Sequence, residues 1–298
     1  MSTNTFAISK GDVRFPTALA AIHDPPPELW IRGDADALRA PTVAIVGSRA
    51  ASPYALEVAR RLGADLARRN VAVVSGLARG VDSAAHRGAL EGGGVTIAVF
   101  GCGVDVIYPR EHRALADRIL EHGALVSEFP IGTPPRKEHF PQRNRIISGL
   151  SLAVVIVEAA EGSGSLITAE FALEQGRTVL AVPGNVLGGR NYGAHAMLRD
   201  GAKLVECADD ILEELPAGLR AEGLGLSCEG KGSKGMSSAS QDPVLRAMDE
   251  GDAYDLDEIA ERSGVDRMRL LPRLLELELA GALRRVDGGR FVRFRGPC

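Results

Sequence analysis

From Thr42 onward, short unbroken apolar runs alternate with segments whose apolar residues recur every three or four positions. The runs fall at 42–46, 71–75, 95–100, 124–127, 152–157 and 178–182 and are rich in Val and Ile. A strand with one wet face alternates apolar and polar residues, whereas unbroken runs suit strands covered on both faces of a parallel sheet. Among the intervening segments, 53–69 reads most clearly as a helix. Ser52 suits its cap, Pro53 its first turn, and Leu56, Ala59, Leu62, Ala64 and Leu66 give it an apolar face. This alternation predicts an α/β fold, a Rossmann-like doubly wound and mostly parallel sheet, over residues 42–215.

Residues 216–241 break the pattern. They include the run Glu229-Gly-Lys-Gly-Ser-Lys-Gly-Met-Ser-Ser, which cannot bury enough apolar surface to offset its ordering entropy and so reads as a flexible linker. Beyond it, helical patterns at 243–250, 256–263 and 266–280 are followed by two extended runs that flank Asp287-Gly-Gly. Asp-Gly between extended runs signals a hairpin. Three helices and a hairpin predict a small winged-helix domain over 242–298. Residues 1–41 are too short for a domain and read as an N-terminal extension, with Pro25, Pro26 and Pro27 stiffening the approach to the first strand.

With 45% hydrophobic residues the chain can build a sizeable core, and its net charge of −4 excludes a polycationic nucleic-acid coat. A local basic site remains open. Glycine, 35 of 298 residues, points to tight turns or close backbone approaches. Cys102, Cys207, Cys228 and Cys298 are scattered without a C-x-x-C pair, which argues against a zinc site and a disulfide scaffold. No stretch approaches the roughly 18 apolar residues of a membrane span, and no secretory pattern opens the chain. The expectation is a cytoplasmic protein without membrane contact.

Ligands of open α/β sheets sit outside the carboxyl ends of the strands. The residues expected there are mostly small: Gly47-Ser48 beside Arg49, Ser75-Gly76, Gly101-Cys102-Gly103, and Gly162-Ser163-Gly164-Ser165 before a helix at 166–175. Amides at a helix start form an anion site, although the last segment is equally a capped turn. Arg49 at the same edge favours a phosphate clamp. Residues 131–151 carry a local +3, with Arg136, Lys137, Arg143 and Arg145 against Glu138, and Phe140 lies among them. A basic loop with an aromatic suits single-stranded nucleic acid, cations meeting phosphates and a ring meeting a base; a solvated loop with Phe140 plugging the core is the alternative.

Other chemistries find little support. There is no G-x-x-x-x-G-K-[ST] motif, and Val106 stands where a dinucleotide fingerprint starting at Gly101 needs Gly or Ala. The six histidines show no metal-ligand spacing. Asp82 and His86 share a helix face, which suits capping by Asp82 better than catalysis. No cofactor or metal is expected.

Four segments together resemble the DNA-processing protein A family (DprA/Smf). They are Val46-Gly-Ser-Arg49, Ser75-Gly-Leu-Ala-Arg-Gly-Val-Asp-Ser-Ala-Ala-His86, Phe140-Pro-Gln-Arg-Asn-Arg-Ile-Ile-Ser-Gly-Leu150 and Gly162-Ser-Gly-Ser-Leu-Ile-Thr168. The resemblance runs over 12–213, and many members end in a winged helix. It implies a non-catalytic protein that binds single-stranded DNA in a basic pocket, usually as a homodimer. It further implies a role in natural transformation, protecting incoming strands and loading the RecA recombinase. On this chain, Arg49 would hold a phosphate with backbone approach at Gly47 and Ser48. Arg143, Asn144 and Arg145 would line the pocket, Phe140 would sit near a base, and Lys137 at the rim. Ser163, Gly164 and Ser165 would donate to a second phosphate. Replacing Arg49 and Arg143 together by Ala should remove binding with the fold intact.

Two rivals remain. A nucleotide N-glycosidase of similar fold would need a carboxylate at position 168, which is Thr168, with Glu170 facing elsewhere. A winged-helix transcription regulator would need a basic reading helix, yet 242–280 carry a net −6 and 281–298 a net +4. Leu270, Leu271, Leu274, Leu275, Leu277 and Leu279 are expected in the small core, with Arg267, Arg269 and Arg273 outside. That favours a protein-contacting or weakly DNA-contacting module over an operator reader.

Overall fold

A computed structural model describes residues 5–216, 242–249, 252–279, 282–286 and 289–293. The chain divides into two compact units, Met1–Ser227 and Cys228–Cys298.

In the first unit the strands are β1 (Thr5–Ser9), β2 (Glu28–Gly33), β3 (Thr42–Val46), β4 (Ala72–Ser75), β5 (Thr96–Val99), β6 (Ala124–Ser127), β7 (Ala153–Ile156), β8 (Thr178–Ala181) and β9 (Lys203–Leu204). The helices are α1 (Thr17–Ala20), α2 (Pro53–Arg68), α3 (Val81–Glu91), α4 (Arg113–His122), α5 (His139–Leu150), α6 (Gly164–Glu174), α7 (Tyr192–Arg199) and α8 (Ala208–Glu213). All six expected strands form, trimmed by at most one residue at either end. They pair in parallel within a nine-stranded sheet of order β1-β2-β6-β5-β4-β3-β7-β8-β9. The chain winds outward from β3 in one direction and from β7 in the other, so the switch point lies between them.

Alternate strand residues feed two cores. Val43, Ile45, Val73 and Val155 pack under α2, α3 and α8, whereas Ala44, Val46, Val74 and Val154 pack under α5, α6 and α7. Ser52 caps α2 as expected, its side chain accepting from Ala55 N.

The N-terminal segment corrects the expected extension. β1 and β2 form an antiparallel pair, and β2 pairs antiparallel with β6, so these residues supply one edge of the sheet. Leu29 and Ile31 are fully buried while their neighbours Glu28, Trp30 and Arg32 are not. That alternation belongs to a half-covered strand, so a search for unbroken apolar runs passes over it. Of the expected linker at 216–241, all but Pro216 lies outside the described residues.

The second unit contains α9 (Pro243–Arg246), β10 (Ala253–Tyr254), α10 (Leu256–Ser263), α11 (Arg267–Leu279), β11 (Leu283–Val286) and β12 (Arg290–Arg293). Its sheet runs β10-β12-β11, and the expected hairpin pairs Leu283–Val286 with Arg290–Arg293. α10 starts on a reciprocal cap, Asp255 accepting from Glu258 N and Glu258 accepting from Asp255 N, and stops at Gly264 in the left-handed region. α9 is shorter than expected because the chain turns at Ala247, which buries Met248 and lets Asp249 accept from the Tyr254 hydroxyl at 2.7 Å. Of the six leucines assigned to this core, Leu270, Leu274 and Leu277 are buried, but Leu271 and Leu275 face solvent. A single buried helix stripe accommodates positions three and four apart and not their neighbours.

Candidate functional site

The carboxyl ends of β3 and β7 open into a cavity of about 690 Å³ at the switch point. Gly47 leaves β3 through a gap where a Cβ would sit 2.7 Å from Val81 Cγ2 and 2.9 Å from Glu158 O, so only glycine passes. Ser48 N then donates to Glu158 O at 2.7 Å, tying the turn after β3 to that after β7. The buried Glu158 carboxylate accepts from Ser52 N and from the Ser52 hydroxyl, which fixes the start of α2. Between these anchors Arg49 stands exposed, its guanidinium 5.5 Å from the centre of the Phe140 ring.

The turn after β4 forms the floor. Leu77 there adopts φ +55°, which is costly for a branched residue and persists only when its surroundings over-determine it. They do. Asp82 Oδ2 accepts from Gly76 N and Ala78 N, His112 Nδ1 donates to Leu77 O, and Arg143 Nη1 donates to Gly76 O at 2.9 Å. Arg143 Nη1 also donates to Val99 O at the end of β5.

The basic segment expected as a loop is helical from His139, which corrects that reading. The helix is held at its start by His139, stacked 4.0 Å from Phe129 and bonded to Gly101 O. On it, Phe140, Arg143, Asn144 and Ile147 follow helical spacing and line the cavity with Lys137, which precedes the helix. Asn144 Nδ2 donates to Gly164 O at 3.2 Å, joining α5 to the start of α6. Arg145 is the exception among the expected residues. It is two positions from Arg143, about 200° round the helix, and does not line the cavity. Instead it forms a two-pronged ion pair with Glu128, at 3.1 and 2.7 Å, and bonds Asp24.

The opposite wall is the start of α6. The helix begins at Gly164, two residues before the expected position, so the amides of Gly164 and Ser165 lie within its first turn. Ser163 is the cap, accepting from Ser165 N, and its hydroxyl lies 2.8 Å from that of Ser165. A Cβ on Gly164 would meet nothing within 4 Å. The space it leaves belongs to the cavity, as does the dipole of the helix. Gly47, Ser48, Arg49, Ser163, Gly164 and Ser165 therefore converge here with the α5 residues, separated by up to 118 positions in sequence.

Burial pushes the Arg143 guanidinium down to about 10, opposed by the Asp82 charge, so it stays cationic at neutral pH. Burial pushes the Asp82 carboxyl up, while Arg143 and the two amides draw it back. Arg143 is only 4% exposed, and its Nη1 is committed to two carbonyls. Truncating it strands those carbonyls and Asp82, so the Arg49/Arg143 double replacement would damage the fold as well as the site. Arg49 and Lys137 form no carboxylate ion pair among the described residues, and they are the cations this cavity presents outward.

Sequence reasoning missed Asp82 as a floor residue and Tyr108, which lines the cavity with its ring 5.5 Å from that of Phe140. Tyr108 stands nine residues beyond the carboxyl end of β5, and no local pattern in the sequence marks it. Behind the floor, His86 is fully buried and held near 3 by that burial, its Nδ1 donating to Thr96 Oγ1 at 2.7 Å. It does not line the cavity. No helix among the described residues is long and apolar enough to cross a membrane.

Glycine-lined strand ends, a helix N-terminus and two cations without an ion pair among the described residues meet at the switch point of this α/β domain, which shares its chain with a winged helix. The chain belongs to the DNA recombination-mediator protein A family, whose model matches residues 6–216, and the DprA winged helix domain matches 233–289. The first match begins inside β1, in keeping with the N-terminal strands being part of the sheet. Protein Smf of Escherichia coli is 44% identical over 290 residues, 95% of this chain and 76% of that protein. DNA processing protein DprA of Streptococcus pneumoniae is 46% identical over 200 residues, 67% and 71%. The X-ray structure of the S. pneumoniae protein superposes with a TM-score of 0.68, covering 72% of this chain and 75% of that one. The Helicobacter pylori protein, 29% identical and described for its single-stranded DNA binding mode, superposes at 0.65, covering 72% and 99%.

Proposed function

We propose that the cavity binds the backbone of single-stranded DNA and that the chain serves natural transformation. In this reading it protects incoming strands in the cytoplasm and loads the RecA recombinase on them, acting as a homodimer and without catalysis. The observation that carries the reading is Arg49 held over Phe140 at the mouth of a cavity with cationic Arg143 in its floor. A guanidinium takes a phosphate while the ring beside it offers a face to a base, and Tyr108 adds a second ring. The Gly164 amide at the start of α6 provides for the next phosphate. The single-stranded DNA binding described for the H. pylori protein supports a single strand as the ligand.

A glycosidase has no comparable support. Thr168 lines the cavity where the carboxylate would be needed, and Glu170 is exposed and does not line it. The test is a salt-titrated comparison of oligo-dT and duplex binding by the wild type and by Arg49→Ala/Lys137→Ala. Strong preference for the single strand, lost in the variant, is expected. Equal affinity for duplex, or undiminished binding by the variant, overturns the reading.

A further inference from the structure

The turn after β4 uses only half of the Asp82 carboxyl. Oδ2 accepts from Gly76 N and Ala78 N, whereas Oδ1 accepts from no described residue. Asp82 is 6% exposed and lines the cavity. For the turn alone one acceptor oxygen suffices, and an asparagine supplies it without a buried charge, whose desolvation is costly. The dipole at the start of α3 favours a negative charge there, but it leaves Oδ1 an acceptor without a donor. Burial raises the carboxyl, while Arg143, the two amides and Arg49 act in favour of the charged, accepting form.

The same surroundings select what that oxygen meets. A metal ion is disfavoured among Arg49, Lys137 and Arg143, which line the same cavity. A phosphate is disfavoured by the carboxylate and finds Arg49 and the Gly164 amide instead. A neutral donor remains. Along a DNA strand neither the phosphates nor the in-chain deoxyriboses carry one, so the donors are the N–H groups of the bases, which a single strand leaves unpaired. At about 690 Å³ the cavity is large enough to enclose a base turned in from the strand.

The bases differ in what they offer an acceptor. Guanine has adjacent N–H donors at N1 and N2. Thymine has a single N–H flanked by carbonyl oxygens that a carboxylate repels. Adenine and cytosine each set an amino group beside a ring nitrogen whose lone pair it also repels. Oδ1 has both its lone pairs free, and guanine is the base that uses both. We infer that Asp82 makes one position of the cavity a guanine subsite, its Oδ1 accepting from N1–H and N2–H of a base turned in from the strand. The inference rests on the strand-binding reading and adds a base preference to it.

The test measures binding of the full chain to single-stranded oligonucleotides of one length. These are oligo-dT, repeats of dT-dT-dG, dT-dT-dC and dT-dT-dA, and a repeat carrying N1-methylguanine in place of guanine. Wild type should bind the guanine repeat about tenfold more tightly than oligo-dT, the discrimination of one good base contact, and ahead of the cytosine and adenine repeats. Methylation of N1 removes a donor without touching the protein, and should abolish the preference. In Asp82→Asn the side-chain oxygen serves the Gly76 and Ala78 amides and the NH2 group faces the cavity, a donor where the acceptor stood. The ratio of guanine-repeat to oligo-dT affinity should then fall to about one. If Asp82 only held the turn, both affinities would fall together and the ratio would stay. The inference is overturned if wild type does not rank guanine first, if N1-methylation leaves the preference in place, or if folded Asp82→Asn keeps the ratio. In each of these cases oligo-dT is still bound and the strand-binding reading stands. No affinity for any single strand overturns that reading and this inference with it.

Discussion

Arg143 on α5 lies so close to Gly76 at the end of β4 that a Cβ on residue 76 would fall 2.1 Å from its Nη1. The guanidinium clamps the ends of β4 and β5 through Gly76 O and Val99 O and faces the buried Asp82. Through it, the helix that carries Phe140 and Asn144 is pinned to the sheet edge that carries the cavity. Arg143 is therefore a positioning residue, and Arg49 and Lys137 are the cations available to a strand.

Arg143→Ala should destabilise the α/β domain by about 3–5 kcal/mol, since it removes the cation that faces the buried Asp82 carboxyl and the donor to two carbonyls. Denaturant unfolding measures this. A loss below about 1 kcal/mol would show that the floor does not depend on the residue.

Arg49→Ala/Lys137→Ala should leave unfolding unchanged and flatten the salt dependence of oligo-dT binding. Two lost phosphate contacts reduce the slope of log K against log salt by about 1.4, at about 0.7 per contact for single strands. An unchanged slope places the phosphates elsewhere.

Gly164→Val separates cavity from fold. A Cβ there meets no protein atom within 4 Å, so stability should shift by less than about 0.5 kcal/mol. If a phosphate approaches the α6 amides, affinity for a single strand falls about tenfold, the equivalent of one charge-assisted hydrogen bond. Full affinity in this variant removes α6 from the site.

His86 gives a pH signature. Its folded pKa, held near 3 by burial, lies below the ordinary 6.5. The unfolded chain takes up a proton as pH falls through about 6.5 while the native ring stays neutral, so stability is lost progressively from there down to about pH 3. The total is on the order of 5 kcal/mol. Asp82, whose carboxyl is pushed up, acts in the opposite direction at the acid end. Comparison with His86→Gln isolates the histidine: the stability gap between the two proteins should narrow as pH falls from 6.5 to 4. A constant gap would mean that the ring titrates normally.

The six parallel strands were legible because a strand covered on both faces must be apolar at every position, and β3 and β6 match their runs residue for residue. β2 was not, since its alternation reflects a half-covered place beside β6 that depends on the whole sheet. Similarly, Leu271 and Leu275 look like core residues in a leucine-rich stretch, and only the packing of α11 leaves them outside. Among the candidate residues, Arg145 was misplaced because composition counts a charge without its direction. Helical phase turns it towards Glu128 while Arg143 turns to the sheet.

The amino-acid sequence alone determined the α/β class, the strand ends at which small residues gather, and the winged-helix pattern at the C-terminal end. Periodicity, glycine and local charge are properties of neighbouring residues and survive in one dimension. Tertiary structure decided which cations stay free. Arg143 and Arg145 differ by two positions in an equally basic segment, yet one is clamped beneath the cavity and the other is neutralised by Glu128. Arg49, almost a hundred residues away, stands at the mouth with no ion pair among the described residues. Whether a charge meets a ligand or a buried partner depends on what the fold brings within a few ångströms of it, and that proximity is set by packing between distant segments.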